Sequence, residues 1–185
     1  MILKPKIACF SGYRPEKFSY SLENDNQRYM ALCRRISRAV ELAVDHGYNT
    51  FLCGMARGFD LVAGEQVLEL KEKRVGFDRV KLIAVLPYQH HNFSGCVWGN
   101  IHQRVLSRAH ETVTLSPNYY SRAFHDRNRY MVEHSSRIIC YYDGQSGGTA
   151  FTVGLAHENG LEVVNLSEKP YNMKTGDANE INGRL

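Results

Sequence analysis

Short apolar runs alternate along the chain with longer segments in which apolar residues recur every three or four positions. The runs are rich in β-branched and aromatic residues, as in residues 6–11 (KIACFS) and 137–142 (RIICYY). Such runs are typical of strands that are buried on both faces. The spacing of the longer segments favours amphipathic helices. The clearest apolar stripe, within residues 25–46, consists of Tyr29, Leu32, Cys33, Ile36, Ala39, Val40, Ala43 and Val44.

The alternation predicts βα units repeated around a mostly parallel sheet. Gly47 provides a stop for the first helix, and Pro87 ends the third strand because proline cannot donate to a central ladder. The predicted strands are 6–11, 50–53, 80–86, 112–115, 137–142 and 161–166, and the predicted helices are 25–46, 59–73, 99–109, 122–135 and 149–159. No apolar period continues past residue 166, so residues 167–185 are predicted to be a loosely ordered C-terminal tail.

Length and composition place the chain among folded proteins with one domain. Its 185 residues suit a single core, which we assign to residues 1–166. Hydrophobic residues at 43% and charged residues at 23% exclude disordered and fibrous classes. The net charge of +4 permits a partner that carries phosphate without requiring one.

The cysteines and the apolar runs bear on the cellular compartment. The five cysteines are scattered and include no C-x-x-C pair, so we expect no disulfide framework. No apolar run approaches the roughly 18 residues of a membrane span, and the N-terminal residues have no secretory pattern. We therefore expect a cytoplasmic protein with no membrane partner.

Three predicted strands lead into loops that contain glycine: residues 11–14 (SGYR), 54–60 (GMARGFD) and 143–149 (DGQSGGT). The carboxyl ends of parallel strands share one edge of the sheet, so these loops should converge. A glycine pair before a helix lets the main chain approach a ligand, and the first N–H groups of the helix then face an anion. The alternative is that the glycines only form strand-to-helix turns.

The loops supply most of the candidate ligand-binding residues. Arg57 lies between two glycines and would place a cation beside phosphate. The candidates from the three loops are Gly12, Arg14, Gly54, Arg57, Gly58, Gly147, Gly148 and Thr149. None of these loops has the G-x-G-x-x-G or G-x-x-x-x-G-K-[ST] pattern, which disfavours a dinucleotide dehydrogenase and a P-loop NTPase.

Three polar residues complete the set of candidates. Asp60 either caps a helix or accepts hydrogen bonds from ribose hydroxyls. Glu65 is also a candidate, but it lies about 500° further around the helix, so the two carboxylates should not project together. Asn128 shares a face with apolar residues and should point inward, either to connect the loops or to contact a ligand.

The loop segments resemble a known superfamily. Residues 54–65 read GMARGFDLVAGE, and residues 127–160 read RNRYMVEHSSRIICYYDGQSGGTAFTVGLAHENG. Both resemble the Rossmann-type domain of the DNA-processing protein DprA. The chain length and the segment FSGYRPEKF (10–18) are more similar to the small stand-alone YpsA-like proteins. Both groups belong to the SLOG superfamily, as do the LOG phosphoribohydrolases, and the resemblance spans about residues 5–166.

The resemblance implies a Rossmann-like three-layer sandwich, frequently dimeric, with a nucleotide-derived ligand over the glycine loops. LOG enzymes carry a glutamate at the position of Thr152, and a hydroxyl cannot replace that carboxylate. DprA proteins bind single-stranded DNA. The residues that could form such a surface here are Arg122, Arg127, Arg129, Tyr119, Tyr120 and Tyr130. The alternative for these residues is an ordinary solvated helix face.

The histidines do not form a metal motif. His90, His91 and His102 lack H-E-x-x-H or Cys/His zinc spacing, so we expect no metal site. Phe93 and Trp98 could instead form an aromatic wall for a base, or pack on the sheet.

These observations predict a protein that binds AMP, ADP-ribose or an NAD-like ligand for sensing or signalling, with no certain cofactor and no assigned reaction. The expected partners are a nucleotide-derived small molecule and a second copy of the chain. Two alternatives remain open: a LOG-like hydrolase of the nucleotide N-glycosidic bond, and a DprA-like adaptor that binds single-stranded DNA.

Overall fold

The computed structural model describes residues 6–22, 26–93 and 96–168. The strands are β1 (Ile7–Ser11), β2 (Thr50–Cys53), β3 (Lys81–Leu86), β4 (Glu111–Thr114), β5 (Arg137–Cys140) and β6 (Glu162–Asn165). The helices are α1 (Gln27–Asp45), α2 (Phe59–Lys73), α3 (Val97–Arg108), α4 (Ala123–Glu133) and α5 (Gly148–Glu158). The predicted tail lies outside the described residues except for Ser167 and Glu168.

The described strands form one six-stranded parallel sheet in the order β4-β3-β2-β1-β5-β6. The chain therefore builds outward from β1 to β4, and then returns to the other side of β1 to add β5 and β6. This arrangement confirms the predicted Rossmann-like α/β class. The sequence predicts the fourth strand within one residue but not its place in the sheet, where it pairs with β3 at an edge and is mostly exposed.

The helices form the two outer layers of the sandwich. Helix α2 packs between α1 and α3, whereas α4 packs against α5. Right-handed crossovers place helices on opposite faces of the sheet when the direction of strand addition reverses, and that reversal occurs after β4. The core lies between these layers.

Helix α1 follows directly from its sequence. The Asn26 side chain accepts hydrogen bonds from the backbone N–H groups of Arg28 (3.0 Å) and Tyr29 (3.3 Å), which satisfies donors that lack a helical partner. Most of the predicted apolar stripe is buried, and Cys33 and Val44 are partly buried. The predicted helix start at residue 25 lies outside the described residues.

Helices α2 and α5 are buried on more than one face. In α2 the buried residues run continuously from Phe59 to Gly64, and in α5 from Thr152 to Ala156. Both helices begin where a central strand leads into a glycine-containing loop. Their packing fixes the positions of their N-terminal turns, which lie at the carboxyl edge of the sheet.

Gly58 joins the loop after β1 to the start of α2. Its φ of +88° lies in the region that favours glycine, and an added Cβ would lie 2.5 Å from the carbonyl oxygen of Tyr13. The next residue, Phe59, donates its backbone N–H to the same oxygen at 3.0 Å. This close backbone contact requires the absence of a side chain.

We expect Gly58→Ala to destabilise the protein more than Gly47→Ala. Gly47 has a φ of +87°, but in the described part of the chain no atom lies within 4 Å of an added Cβ, so Gly47→Ala controls for the positive φ alone. Gly47→Ala should lower the free energy of unfolding by about 1–2 kcal/mol, and Gly58→Ala by a further 1–3 kcal/mol or so from the steric contact. Urea denaturation measures both losses. Equal losses would contradict the close contact.

Candidate nucleotide site at the carboxyl edge of the sheet

The candidate site lies where the order of strand addition reverses. The neighbours of β1 are β2 on one side and β5 on the other, so the loops after β1 and β5 diverge and leave a crevice. Open parallel sheets bind ligands in such a crevice, outside the carboxyl ends of the strands. The strand order alone therefore predicts a ligand site at this edge of the sheet.

A cavity of about 380 Å³ occupies the crevice. We call it the loop cavity. Its lining residues are Ser11, Gly12, Tyr13, Arg14, Glu16, Lys17, Ala56, Asp60, Phe124, Arg127, Asn128, Gly147, Gly148 and Thr149. Its volume lies within the range of about 300–1,000 Å³ that is usual for small-molecule sites.

The N-terminus of α5 opens into the loop cavity. Its capping residue, Gly147, makes no side-chain capping hydrogen bond. The first N–H groups of a helix have no partner inside the helix, and the helix dipole adds partial positive charge at this end. An added Cβ at Gly148 would meet no atom of the described residues within 4 Å, so the main chain here borders open space among them. These features suit an anion.

Among the described residues, three cationic side chains line the same cavity: Arg14 and Lys17 are exposed, and Arg127 is buried. The Lys17 ammonium donates to the Ser146 carbonyl oxygen at 2.6 Å, which holds the loop before α5.

Arg57 does not line the loop cavity, where a phosphate-binding cation was predicted. Its guanidinium pairs with Glu16 at 2.8 Å and lines a neighbouring hollow instead of the loop cavity. Arg14 and Lys17 are thus the exposed cations beside the start of α5.

A chain of buried hydrogen bonds connects the loops beneath the cavity. The Arg127 guanidinium donates to the carbonyl oxygen of Gly54 and, from Nε and one terminal nitrogen, to Asn128 Oδ1 at 3.1 and 2.8 Å. Asn128 Nδ2 donates to Thr152 Oγ1 at 2.8 Å, and Thr152 Oγ1 donates to the Gly148 carbonyl oxygen at 2.8 Å. The chain runs from the end of β2, through α4, to the first turn of α5.

This arrangement distinguishes among the sequence interpretations. Asn128 does point inward and connect the loops, and it also borders the cavity. Arg127 is only 5% exposed, so it is not part of a solvated cationic face. Thr152 is fully buried and outside the cavity lining, so the position of the LOG glutamate holds a structural hydroxyl.

Asp60 lies in the wall of the cavity, and only 4% of the residue is exposed. Burial raises the pKa of its carboxyl to about 6, against the lowering effects of the Arg127 charge and of hydrogen bonds from the backbone of Ala56 and Gly12. Those two backbone groups belong to the loops after β2 and β1. Asp60 therefore links the two loops by accepting from both.

Seven of the predicted residues line the loop cavity: Gly12, Arg14, Asp60, Asn128, Gly147, Gly148 and Thr149. Gly54 and Gly58 lie behind it. An added Cβ at Gly54 would come within 2.8 Å of Asp60 Oδ2, so this glycine leaves room for the buried carboxylate. The glycines of the second loop thus have the structural role that the sequence left as an alternative.

Glu65 is not in the cavity, which corrects its place among the candidates. It lies on the side of α2 that faces α3, and its carboxylate accepts from Arg104 Nε at 2.8 Å. The residue borders a separate groove with Tyr29 and Cys33. The rotation between positions 60 and 65 around the helix, already evident in the sequence, is the physical reason.

Lys17, Phe124 and Tyr13 also line the cavity, although the sequence pattern did not predict them for the site. The Tyr13 hydroxyl donates to Asp143 and accepts from the backbone N–H groups of Asp143 (3.2 Å) and Gln145 (3.1 Å). It thereby organises the loop that leads to α5. Lys17 and Tyr13 lie within the quoted FSGYRPEKF segment, which was the signal for them, whereas Phe124 has no distinguishing pattern.

His91 and His102, two of the histidines considered as metal ligands, lie among aromatic rings. The His91 and His102 ring centroids are 5.9 Å apart, and the His91 ring also contacts Phe93. Within the described ranges, no group of three or more His, Cys, Asp or Glu side chains could hold a metal ion.

In the same part of the chain, no helix combines the length and apolar character needed to span a membrane.

We expect Asp60 to give the protein a specific pH dependence of stability. Its folded-state pKa of about 6 lies above its ordinary value of 3.8, so the unfolded chain releases the proton first. The contribution of Asp60 to stability is therefore full below about pH 4 and is lost as the pH rises through about 6. The free energy of unfolding of the wild type, relative to Asp60→Asn, should fall across this interval in urea titrations. Parallel pH profiles would contradict this burial effect.

Comparisons with known proteins agree with the fold and the resemblance. The YpsA model, which describes the YspA SLOG family, matches residues 8–164. A UPF0398 protein of Bacillus velezensis is 21% identical over 150 residues, which cover 78% of this chain and 79% of the relative.

A solved structure is similar in fold. It concerns the single-stranded DNA binding mode of DNA processing protein A from Helicobacter pylori. The TM-score is 0.55 at 16% identity, with 98% of this chain and 73% of that chain covered. These comparisons confirm the predicted relation to the SLOG superfamily and to the fold of DprA. Because the family model covers most of the sequence, the chain belongs to the YspA SLOG family.

Proposed function

We propose that the protein binds a nucleotide or nucleotide-derived ligand, such as AMP, ADP-ribose or an NAD-like molecule, in the loop cavity. The observation that carries the proposal is the uncapped start of α5, which opens into a cavity beside Arg14 and Lys17. Helix N–H groups and nearby cations together form a phosphate site. The binding would serve sensing or signalling, and the proposal includes no reaction.

Each part of the cavity has a role in this proposal. The backbone of Gly147, Gly148 and Thr149 binds phosphate, and the Thr149 hydroxyl adds a donor. Arg14, which lines the same cavity, neutralises phosphate charge. Asp60 presents a carboxylate to which ribose hydroxyls could donate, as acidic residues do in nucleotide-binding folds.

We expect AMP, ADP-ribose or NAD to raise the melting temperature of the wild type. At a free concentration near 100 times Kd, the rise should be about 5–10 °C for a chain of this size. Gly148→Asp should weaken binding roughly 100-fold, because two like charges about 5 Å apart repel by about 3 kcal/mol at an effective dielectric constant of 20. Thermal denaturation with each ligand measures both effects.

Gly148→Ala is the matched control for this experiment. A methyl group at this position meets no atom of the described protein within 4 Å, and it adds volume without charge. Its melting temperature without ligand should match the wild type, and it should keep most of the ligand response. No response of the wild type to any of the three ligands would refute the proposal.

Binding of single-stranded DNA is a second candidate, favoured by an exposed aromatic surface beside the cavity. Tyr119 is 62% exposed, and its ring lies 5.5 Å from Tyr88 and 6.4 Å from Phe124. Arg122 is exposed nearby in the sequence. Exposed rings next to cations are the usual platform for unpaired bases. The relative from Helicobacter pylori has a described single-stranded DNA binding mode, which adds support.

If this candidate is correct, a labelled oligothymidylate should be retarded by the protein at low salt, and increasing salt should weaken the complex steeply. Tyr119→Ser should weaken binding by about 5- to 150-fold through loss of stacking. Val75→Ser, at a fully exposed apolar position, is the control and should bind as the wild type does. Absence of retardation at low salt would remove this candidate.

The hydrolase alternative requires the carboxylate that LOG enzymes carry at the position of Thr152, and this chain has no carboxylate there. Thr152 occupies that position, and its hydroxyl is used in the buried chain between Asn128 and Gly148. We therefore make no proposal of phosphoribohydrolase activity of the LOG type.

A further inference from the structure

A second hollow of about 300 Å³ adjoins the loop cavity. The two hollows share Arg14, Ala56 and Phe124 in their linings, so they lie side by side. We call the second one the aromatic pocket. A ligand with its phosphate at the start of α5 could therefore extend past Arg14 and Phe124 into this pocket.

The walls of the aromatic pocket differ chemically from those of the loop cavity. Tyr88, His91, Phe93 and Phe124 supply rings around it. The His91 ring centroid lies 5.2 Å from that of Tyr88, 5.0 Å from Phe93 and 5.6 Å from Phe124, all in edge-to-face contacts. Perpendicular rings present both faces and edges to a planar guest, the arrangement in which aromatic groups interact favourably.

Two arginines complete the walls. The Arg57 guanidinium lies 5.8 Å from the Phe93 ring centroid, and Arg14 lies 5.9 Å from that of Phe124. The Arg57 charge is already paired with Glu16 at 2.8 Å. An arginine held in this way contributes a flat surface for stacking more than a free charge for a second phosphate.

His91 provides an independent observation that points to a polar guest. The residue is only 5% exposed, and its Nδ1 is buried with no hydrogen-bond partner among the described residues. Burial lowers its pKa to about 4, and the nearby charge of Arg127 adds to this effect. A neutral imidazole has one donor and one acceptor, which suits the edge of a heterocycle and does not attract phosphate.

We propose that the aromatic pocket holds the nucleobase of a nucleoside phosphate whose phosphate lies at the N-terminus of α5. This inference rests on the proposed function and deepens it, since it assigns the base of the ligand to one hollow and the phosphate to the other. Phe124 and Arg14 lie at the junction, where the ribose crosses from one hollow to the other. The phosphate and the base are thus recognised by separate groups of residues.

The test compares AMP with ribose 5-phosphate by isothermal titration calorimetry. Both carry the phosphate and the sugar, and only AMP carries the base. AMP should bind at least about fivefold more tightly to the wild type, since stacking of one base on an aromatic ring has at least this effect. Phe93→Leu should reduce AMP affinity towards that of ribose 5-phosphate and leave ribose 5-phosphate binding unchanged.

Tyr130→Leu is the matched control. Tyr130 lies on α4, stacks on His134 with ring centroids 4.0 Å apart, and lines neither hollow. It should bind both ligands as the wild type does. If Phe93→Leu fails to fold, as judged by circular dichroism, a second measurement with the wild type remains. The fluorescence of 1,N6-ethenoadenosine monophosphate should change on binding, and AMP should reverse the change at lower concentration than ribose 5-phosphate.

The outcomes separate this inference from the function on which it rests. Equal affinities of AMP and ribose 5-phosphate for the wild type would overturn the base pocket and leave phosphate binding in place. Binding of neither ligand would refute both proposals. If an oligothymidylate displaces ethenoadenosine monophosphate at a lower concentration than AMP does, the proposal that the pocket binds a mononucleotide is overturned. The pocket would then be assigned to single-stranded nucleic acid.

Discussion

The buried guanidinium of Arg127 is the interaction on which the site depends. It lies below the cavity and donates to the Gly54 carbonyl oxygen and to the Asn128 side chain, while the nearby Asp60 carboxylate supplies opposite charge. Burying a charge is unfavourable unless it is paired and hydrogen-bonded, and removal of one partner typically destabilises a protein by about 3–5 kcal/mol. The loops are therefore constrained to remain around this group.

The parallel sheet explains why such a constraint is needed. Each loop at the carboxyl edge follows a different strand, and β2 and β5 lie on opposite sides of β1. The backbone ladder aligns the strands but does not determine how loops beyond their ends meet. Side chains from α4 fulfil that role, because the chain through Asn128 and Thr152 ends on the carbonyl oxygen of Gly148. These hydrogen bonds connect the end of β2 to the first turn of α5 beneath the loop cavity.

The distribution of charge follows from the same arrangement. Arg127 is used internally, Arg57 is paired with Glu16, and the carboxyl of Asp60 is buried with a raised pKa. The exposed cations beside α5 are consequently Arg14 and Lys17. A protein with a net charge of only +4 thus places two exposed cations in one cavity. Beyond Phe124 the lining becomes aromatic, so the two hollows differ in the chemistry they can recognise.

The sequence by itself determined the architecture and the edge of the sheet at which the loops meet. Apolar runs and the stripe of α1 predicted nearly every strand and helix to within two or three residues, because burial imposes a period on each element. The glycine loops indicated a common site, since parallel strands direct their carboxyl ends to one edge.

Only the tertiary structure decided which residues of these loops face the cavity and which support it. Arg57 and Arg127 look alike in the sequence, yet one pairs at the surface and the other is buried in a network. Glu65 projects away because of its rotation around α2, and Phe124 joins the site from a helix with no local motif. The physical reason is that side-chain direction and hydrogen-bond partners depend on contacts between segments far apart in the chain, such as Gly54 with Arg127 and Asn128 with Thr152. Local spacing contains no information about such contacts.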